Sequence, residues 1–118
     1  MSLSINTKTY TGDNFAPDAV GYKGPAHTLS VTDFLSLSRV LPKPTATFSG
    51  VGRTQGKLTR TLTLTGALTP TGQAINTINH SIPVGASSTD IDAMLDDMGA
   101  FLSSADYKTF VKQQLISY

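Results

Sequence analysis

The sequence predicts an α+β fold in one 118-residue domain, with mostly β-strands over 1–84 and two helices over 88–118. Three observations carry that expectation. Apolar and polar residues alternate at period two in "GKLTRTLTLTG" (56–66) and more loosely before it. Turn-forming Gly, Pro, Asn and Asp break the first part into short pieces. After "GASS" the apolar spacing changes to three and four, at Ile91, Met94, Leu95, Met98, Phe101 and Leu102, which is the stripe of an amphipathic helix.

Taken in order, Leu3, Ile5 and Thr7 alternate with Ser4, Asn6 and Lys8 up to Tyr10, and "TGDN" is expected to turn the chain. "FAPDAVGYKGPA" (15–26) holds only brief extended pieces. "HTLSVTDFLSLSRVLP" reads as a strand with Leu29 and Val31 on one face, then Phe34 or Leu35 onward with Ser36 and Ser38 interleaving Leu35 and Leu37, closed or placed at a sheet edge by Pro42 and Pro44. "TATFSGVGRTQGKLTRTLTLTGAL" is expected to be a hairpin around the Gly-rich bend "GVGRTQG", with Thr45, Thr47 and Ser49 on one face and Ala46 and Phe48 on the other. The loop Thr69, Pro70, Thr71, Gly72, Gln73 leads into the strand "AINTINHSIPVG". Ser87 or Ser88 caps the first helix, with Asp90 and Asp92 complementing its dipole. Ser104 caps the second, which turns Tyr107, Phe110, Val111 and Leu115 inward.

Composition narrows the chemistry. The chain has no cysteine, which excludes disulfides, thiolate metal sites and a Cys nucleophile, and all eight acids are Asp. The opening "MSLSINTKTY" lacks a signal-peptide layout and no apolar run spans a membrane, so a soluble protein used without secretion is expected. Residues 1–84 hold seven Lys or Arg against three Asp, net +4, and residues 85–118 hold two against five, net −3. A basic front and an acidic back suit different partners. His27 and His80 are the only imidazoles, and no H-x-x-x-H or G-x-S-x-G pattern occurs. "GVGRTQGKL" misses a phosphate loop by one residue of spacing and has Leu58 where the Mg²⁺-binding hydroxyl belongs. "TDIDAMLDD" lacks the loop glycine of a Ca²⁺ motif. No catalytic residue, metal or cofactor is expected.

The repeated threonine is the feature that most needs explaining. Alternation along a strand puts Leu58, Arg60, Leu62 and Leu64 on one face and Thr59, Thr61, Thr63 and Thr65 on the other. Thr suits a solvated strand face by propensity alone. A broader reading is a hydroxylated sheet that hydrogen-bonds phosphates, sugars and unstacked bases, with Lys43, Arg53 and Lys57 at its rim.

The order of these features resembles the coat proteins of single-stranded RNA bacteriophages, the leviviruses, over nearly the full length. The residues that carry the likeness are the hairpin "LSINTKTYTGDNFAPDAV", the central hydroxyl-bearing hairpin, and "HSIPVG" leading into "SSTDIDAMLDDMGAFL", with a second helix running to "LISY". The resemblance implies an N-terminal β-hairpin, a five-stranded antiparallel sheet and two C-terminal helices that cross onto a partner in an interlocked homodimer. It implies a dimer core of Phe48, Leu62, Leu64, Ile91, Met94, Leu95, Met98, Phe101, Leu102 and Phe110. It also implies an RNA-facing set of Lys43, Thr45, Thr47, Ser49, Lys57, Thr59, Thr61, Thr77 and Asn79, to which the hydroxyl-face reading adds Arg53 and Thr63. Thr61 stands where a lysine is common in the family, and the last strand shows Ile75, Thr77 and Asn79 without the familiar stacking tyrosine. The 69–73 loop matches the segment that meets its copies around symmetry axes.

The expected function is therefore that of a structural capsid subunit. It assembles from dimers into an icosahedral shell, binds single-stranded genomic RNA on its inner face, and resides in the virion after assembly in the bacterial cytoplasm. The rival from another class is a free-standing dimeric RNA-binding regulator that forms no shell. A small enzyme built around His27 and Asp33 is the remote third.

Overall fold

In a computed structural model, residues 2–47 and 49–114 are described. The chain forms two compact units, Met1–Val84 and Gly85–Tyr118. The first is one six-stranded antiparallel sheet in which every strand pairs with the next in sequence. Its strands are β1 (Ser2–Ile5), β2 (Lys8–Ala16), β3 (Ala19–Lys23), β4 (Asp33–Val40), β5 (Val51–Thr63) and β6 (Thr71–Pro83). The hairpin and the five-stranded sheet expected as separate pieces are thus continuous, because β2 pairs with β3 as well as with β1.

Local chemistry moves several turns from where the sequence suggested. Asn6 and Thr7 both adopt positive φ, 50° and 64°, giving the two-residue primed turn that matches strand twist. "TGDN" is strand and not turn: it holds a β-bulge between Gly12 and Asn14, and the chain reverses instead at Pro17–Asp18. Residues 27–32 form no strand, and Leu29 is fully exposed.

The largest correction concerns the central hairpin. "GVGRTQG" is not a bend: from Val51 onward it is the first half of β5, a strand of 13 residues. A Cβ on Gly52 would lie 3.6 Å from Pro42 and one on Gly56 3.8 Å from Leu37, ordinary contact distances, so these glycines are plain strand positions and mark no turn. Residues 41–47 and 49–50, with Pro42, Pro44 and a Gly50 at φ +96°, form neither helix nor strand. Phe48 lies outside the described residues, as does Leu115. The loop expected at 69–73 also shifts. Thr71, Gly72 and Gln73 already pair with Thr63, Leu62 and Thr61, so the connection is residues 64–70, closed by Leu64 N–H donating to Pro70 O at 2.8 Å.

The second unit holds α1 (Ser88–Ser103) and α2 (Ala105–Gln113). Ser87 caps α1 by accepting from Asp90 N–H at 3.1 Å, and Ser104 caps α2 by accepting from Tyr107 N–H at 3.2 Å. Phe101, Tyr107 and Phe110 join the two helices in a tilted aromatic cluster, with ring centroids 4.7 and 5.9 Å apart. No helix among the described residues is long and apolar enough to cross a membrane.

Candidate nucleic-acid interface

Strand register sorts the sheet into two chemically distinct faces. Residues opposite each other across antiparallel strands project to the same side. One side carries Val20, Tyr22, Leu35, Leu37, Leu58, Leu62, Ile78 and Ile82. Tyr10 and Tyr22, about 1% exposed, are the buried apolar side chains on it. An open concavity of about 500 Å³ lies there, lined by Phe15, Val20, Leu37, Gly56 and His80 among others.

Arg60 stands on this mainly apolar face, which also carries Asp33 and Arg39, and the structure gives it partners. Its Nε donates to Asp33 Oδ1 at 3.1 Å, its Nη2 donates to the Tyr10 hydroxyl, and that hydroxyl donates to Asp33 Oδ1 at 3.2 Å. The bond to Tyr10 comes first in holding the guanidinium above its ordinary pKa; desolvation opposes it, and Asp33 adds to it. Asp33 is only 4% exposed. His27 does not meet that carboxylate as a catalytic pair would: its Nδ1 accepts the backbone N–H of Asp33 at 3.2 Å.

The opposite face is polar. Its rows across β4, β5 and β6 read Val40–Arg53–Ser81, Ser38–Gln55–Asn79, Ser36–Lys57–Thr77 and Phe34–Thr59–Ile75, with Thr61–Gln73 and Thr63–Thr71 continuing on β5 and β6. The sequence-predicted Arg53, Lys57, Thr59, Thr61, Thr63, Thr77 and Asn79 therefore share one surface. Thr45 and Thr47 do not join it: like Lys43 and Ser49, they lie between β4 and β5 in neither helix nor strand. Their period-two spacing mimics a strand, but the prolines on either side of Lys43 keep that stretch out of the ladder. The strand that does flank β5 is β4, and Ser36, Ser38, Gln55 and Ser81 were missed. "LSLS" carried the signal for two of them, as a second hydroxyl alternation.

Some of these groups have internal duties. Ser38 Oγ donates to Gln55 Oε1 at 3.4 Å, a long bond. Thr61 Oγ1 accepts from Thr32 N–H at 2.9 Å and so holds the loop before β4, keeping only its own proton to donate outward. Among the described residues, neither Arg53 nor Lys57 forms an ion pair. Four residues apart on one strand, they stand about 13 Å apart at the usual ~3.3 Å rise. No group of three metal-ligating side chains occurs among the described residues.

Among the expected dimer-core residues, Leu62 is 47% exposed, Met94 48%, Met98 46%, Phe101 50% and Phe110 42%, and Leu95 is exposed as well. Leu64, Ile91 and Leu102 are half-buried. Leu64 sits past the last ladder pair, against Gly72, where an added Cβ would approach its Cδ1 to 2.9 Å.

No protein-family profile and no curated protein matches the sequence. Solved structures do. A chain of the virus-like particle of Beihai levi-like virus 32 superposes with a TM-score of 0.82 at 18% identity, over 96% of this chain and 91% of that one. A chain of the Wenzhou levi-like virus 4 particle gives 0.75 at 24% identity, over 92% and 76%. One from the particle of bacteriophage AVE019 gives 0.76 at 16% identity, over 100% and 96%. The chain has the fold of these levi-like phage particle subunits, an antiparallel sheet followed by two helices.

Proposed function

We propose that this protein is the coat subunit of a small single-stranded RNA bacteriophage, with a structural and not a catalytic role. The observation that carries the reading is the near full-length fold shared with subunits of levi-like virus particles. Those relatives are particle-forming, and the same capacity is assigned here: homodimers that close into an icosahedral shell in the virion, after assembly in the bacterial cytoplasm.

Physical chemistry supports each step. With Tyr10 and Tyr22 the fully buried apolar side chains among the described residues, the chain has little core of its own. The half-exposed Met94, Met98, Phe101 and Phe110 of the helices and the leucine face of the sheet then find their cover in a second copy. Obligate interfaces of this kind bury on the order of 2,000–5,000 Å². The two units combine into one coat domain on that reading, with the 64–70 loop and its flanking Thr71–Gln73 meeting copies around symmetry axes. The polar face turns inward to single-stranded RNA. Arg53 and Lys57 contact phosphates, and Thr59, Thr63, Thr77 and Asn79 donate to or accept from sugars and bases. Lys43, Thr45, Thr47 and Ser49 are assigned to the same RNA through the loop that precedes β5, not through the sheet.

Size-exclusion chromatography of the recombinant protein, read at 260 and 280 nm and followed by electron microscopy, tests this. Particles near the void volume that carry nucleic acid are expected. A stable dimer that stays dimeric when RNA is added would refute the shell.

A further inference from the structure

The polar face carries one aromatic side chain that its hydroxyl pattern does not explain. Phe34 pairs with Lys23 on β3 and Thr59 on β5, so its ring stands on the side of Ser36, Lys57 and Thr59. The buried aromatics Tyr10 and Tyr22 stand on the other side, so Phe34 is no part of that core. The ring leans across β3: a Cβ on Gly21 would come within 2.4 Å of Phe34 Cζ. Gly21 thus provides the bare backbone over which the ring lies. His27 flanks it with ring centroids 6.4 Å apart at 50°, and is itself fixed by the hydrogen bond from Asp33 N–H. Phe34 is half-buried, so part of its surface stays open.

We propose that Phe34 is a stacking platform for one unpaired nucleobase of single-stranded RNA, an inference that rests on the polar face being RNA-facing. The neighbours fit that occupant and not an apolar one. Lys57 is diagonal to Phe34 across the β4–β5 ladder, a separation of about 7–8 Å that a long side chain spans. It meets the phosphate beside the stacked base. Thr59 and Ser36 offer hydroxyls to a base edge or a ribose 2′-OH next to the ring. A base on Phe34 is held without regard to sequence, because every base presents a π-face.

The test uses the full-length protein and single-stranded RNA carrying 5-iodouridine, irradiated and mapped by mass spectrometry. A crosslink at Phe34 is expected. Crosslinks confined to other residues overturn the platform. In parallel, Phe34→Leu, Phe34→Trp and Lys57→Ala are titrated with an unlabelled oligonucleotide across a range of salt. Phe34→Leu is expected to weaken binding roughly 5- to 100-fold with the salt slope unchanged, and Phe34→Trp to retain it. Lys57→Ala is expected to lower the slope by about 0.7. If Phe34→Leu binds like the wild type while Lys57→Ala lowers the slope, the platform is wrong and the RNA-facing sheet stands. If neither substitution changes binding, the reading of the face fails with it. Should Phe34→Leu not fold, the wild-type crosslink decides.

Discussion

Replacing Asp33 by Ala should destabilise the sheet by about 2–4 kcal/mol, and the structure shows where that comes from. Asp33 is 4% exposed and its Oδ1 accepts from two donors, the Tyr10 hydroxyl and Arg60 Nε. Tyr10 is about 1% exposed, and a buried hydroxyl that loses its acceptor costs roughly 1–3 kcal/mol. Arg60, with 38% of its side chain exposed, can turn to water, so the broken ion pair adds no more than about 1 kcal/mol. Because the Arg60 pKa is raised, the charge on that side is present throughout the neutral range and is lost only in strong alkali. Gly24 supplies a second handle on the same carboxylate. A Cβ there would lie 2.2 Å from Asp33 Oδ2 and 2.4 Å from Cγ, and the carboxylate is too well held to swing aside. Gly24→Ala alone should cost ~1–3 kcal/mol as overpacking, yet be nearly neutral once Asp33→Ala has emptied the space. Urea unfolding of all four proteins at one fixed protein concentration measures the cycle. An Asp33→Ala variant within about 0.5 kcal/mol of wild type, or purely additive effects of the two substitutions, would refute the network as drawn.

Three further outcomes are expected. Ser87→Ala removes the acceptor for Asp90 N–H and should lower stability by about 1 kcal/mol, read from a thermal melt of helical circular dichroism. Thr7→Gly relieves a β-branched residue held at φ 64° in the β1–β2 turn and should raise the unfolding midpoint by roughly 1 kcal/mol equivalent; a lowered midpoint would contradict that turn. Met98→Asp puts a charge on the apolar stripe of α1 and should abolish dimers and particles, whereas a soluble, folded monomer by ultracentrifugation would exclude a core shared between copies.

What could be read from the sequence follows from the range of the interactions involved. The helices and their caps are local, and Ser87, Ser104 and the 91–102 stripe fell where spacing put them. The two faces of β5 from Leu58 onward were equally legible, because alternation needs no partner, but its first half read as a bend. Partner choice was not. "TATFS" alternates as well as a strand, and only the competing claim of β4 on the edge of β5, with Pro42 and Pro44 between, removes it from the sheet. Glycine misled in the same way. Gly52 and Gly56 look like a bend in one dimension and are strand positions in three. Thr71–Gln73 look like loop residues until β5 is long enough to reach them. The candidate site was thus half visible: Arg53, Lys57, Thr59, Thr61, Thr63, Thr77 and Asn79 could be named, while Gln55, Ser81, Ser36, Ser38 and Phe34 needed the register of β4, β5 and β6.

The sheet's electrostatics follow from one pattern of pairing. The Met1–Val84 unit has three Asp, and each is spent on one cation: Asp13 on Lys23 at 3.1 Å, Asp18 on Arg39 at 3.2 Å and Asp33 on Arg60 at 3.1 Å. The net charge of +4 in that part of the chain therefore resolves into Lys8, Lys43, Arg53 and Lys57. Arg53 and Lys57 lie on the polar face of β5, and Lys43 lies on the chain leading into that strand. The apolar face keeps Arg60 and Arg39, each neutralised by an Asp. The bulge at Gly12–Asn14 serves the same division: its extra residue sets Asn14 opposite Gly21 on the polar side and returns Phe15 to the side of Tyr10. Without it, Phe15 would point at the hydroxyls and Asn14 into the leucines. Arg53 and Lys57 thus stand without an ion pair on the hydroxyl-bearing face among the described residues, and that surplus is what the proposed RNA contact draws on.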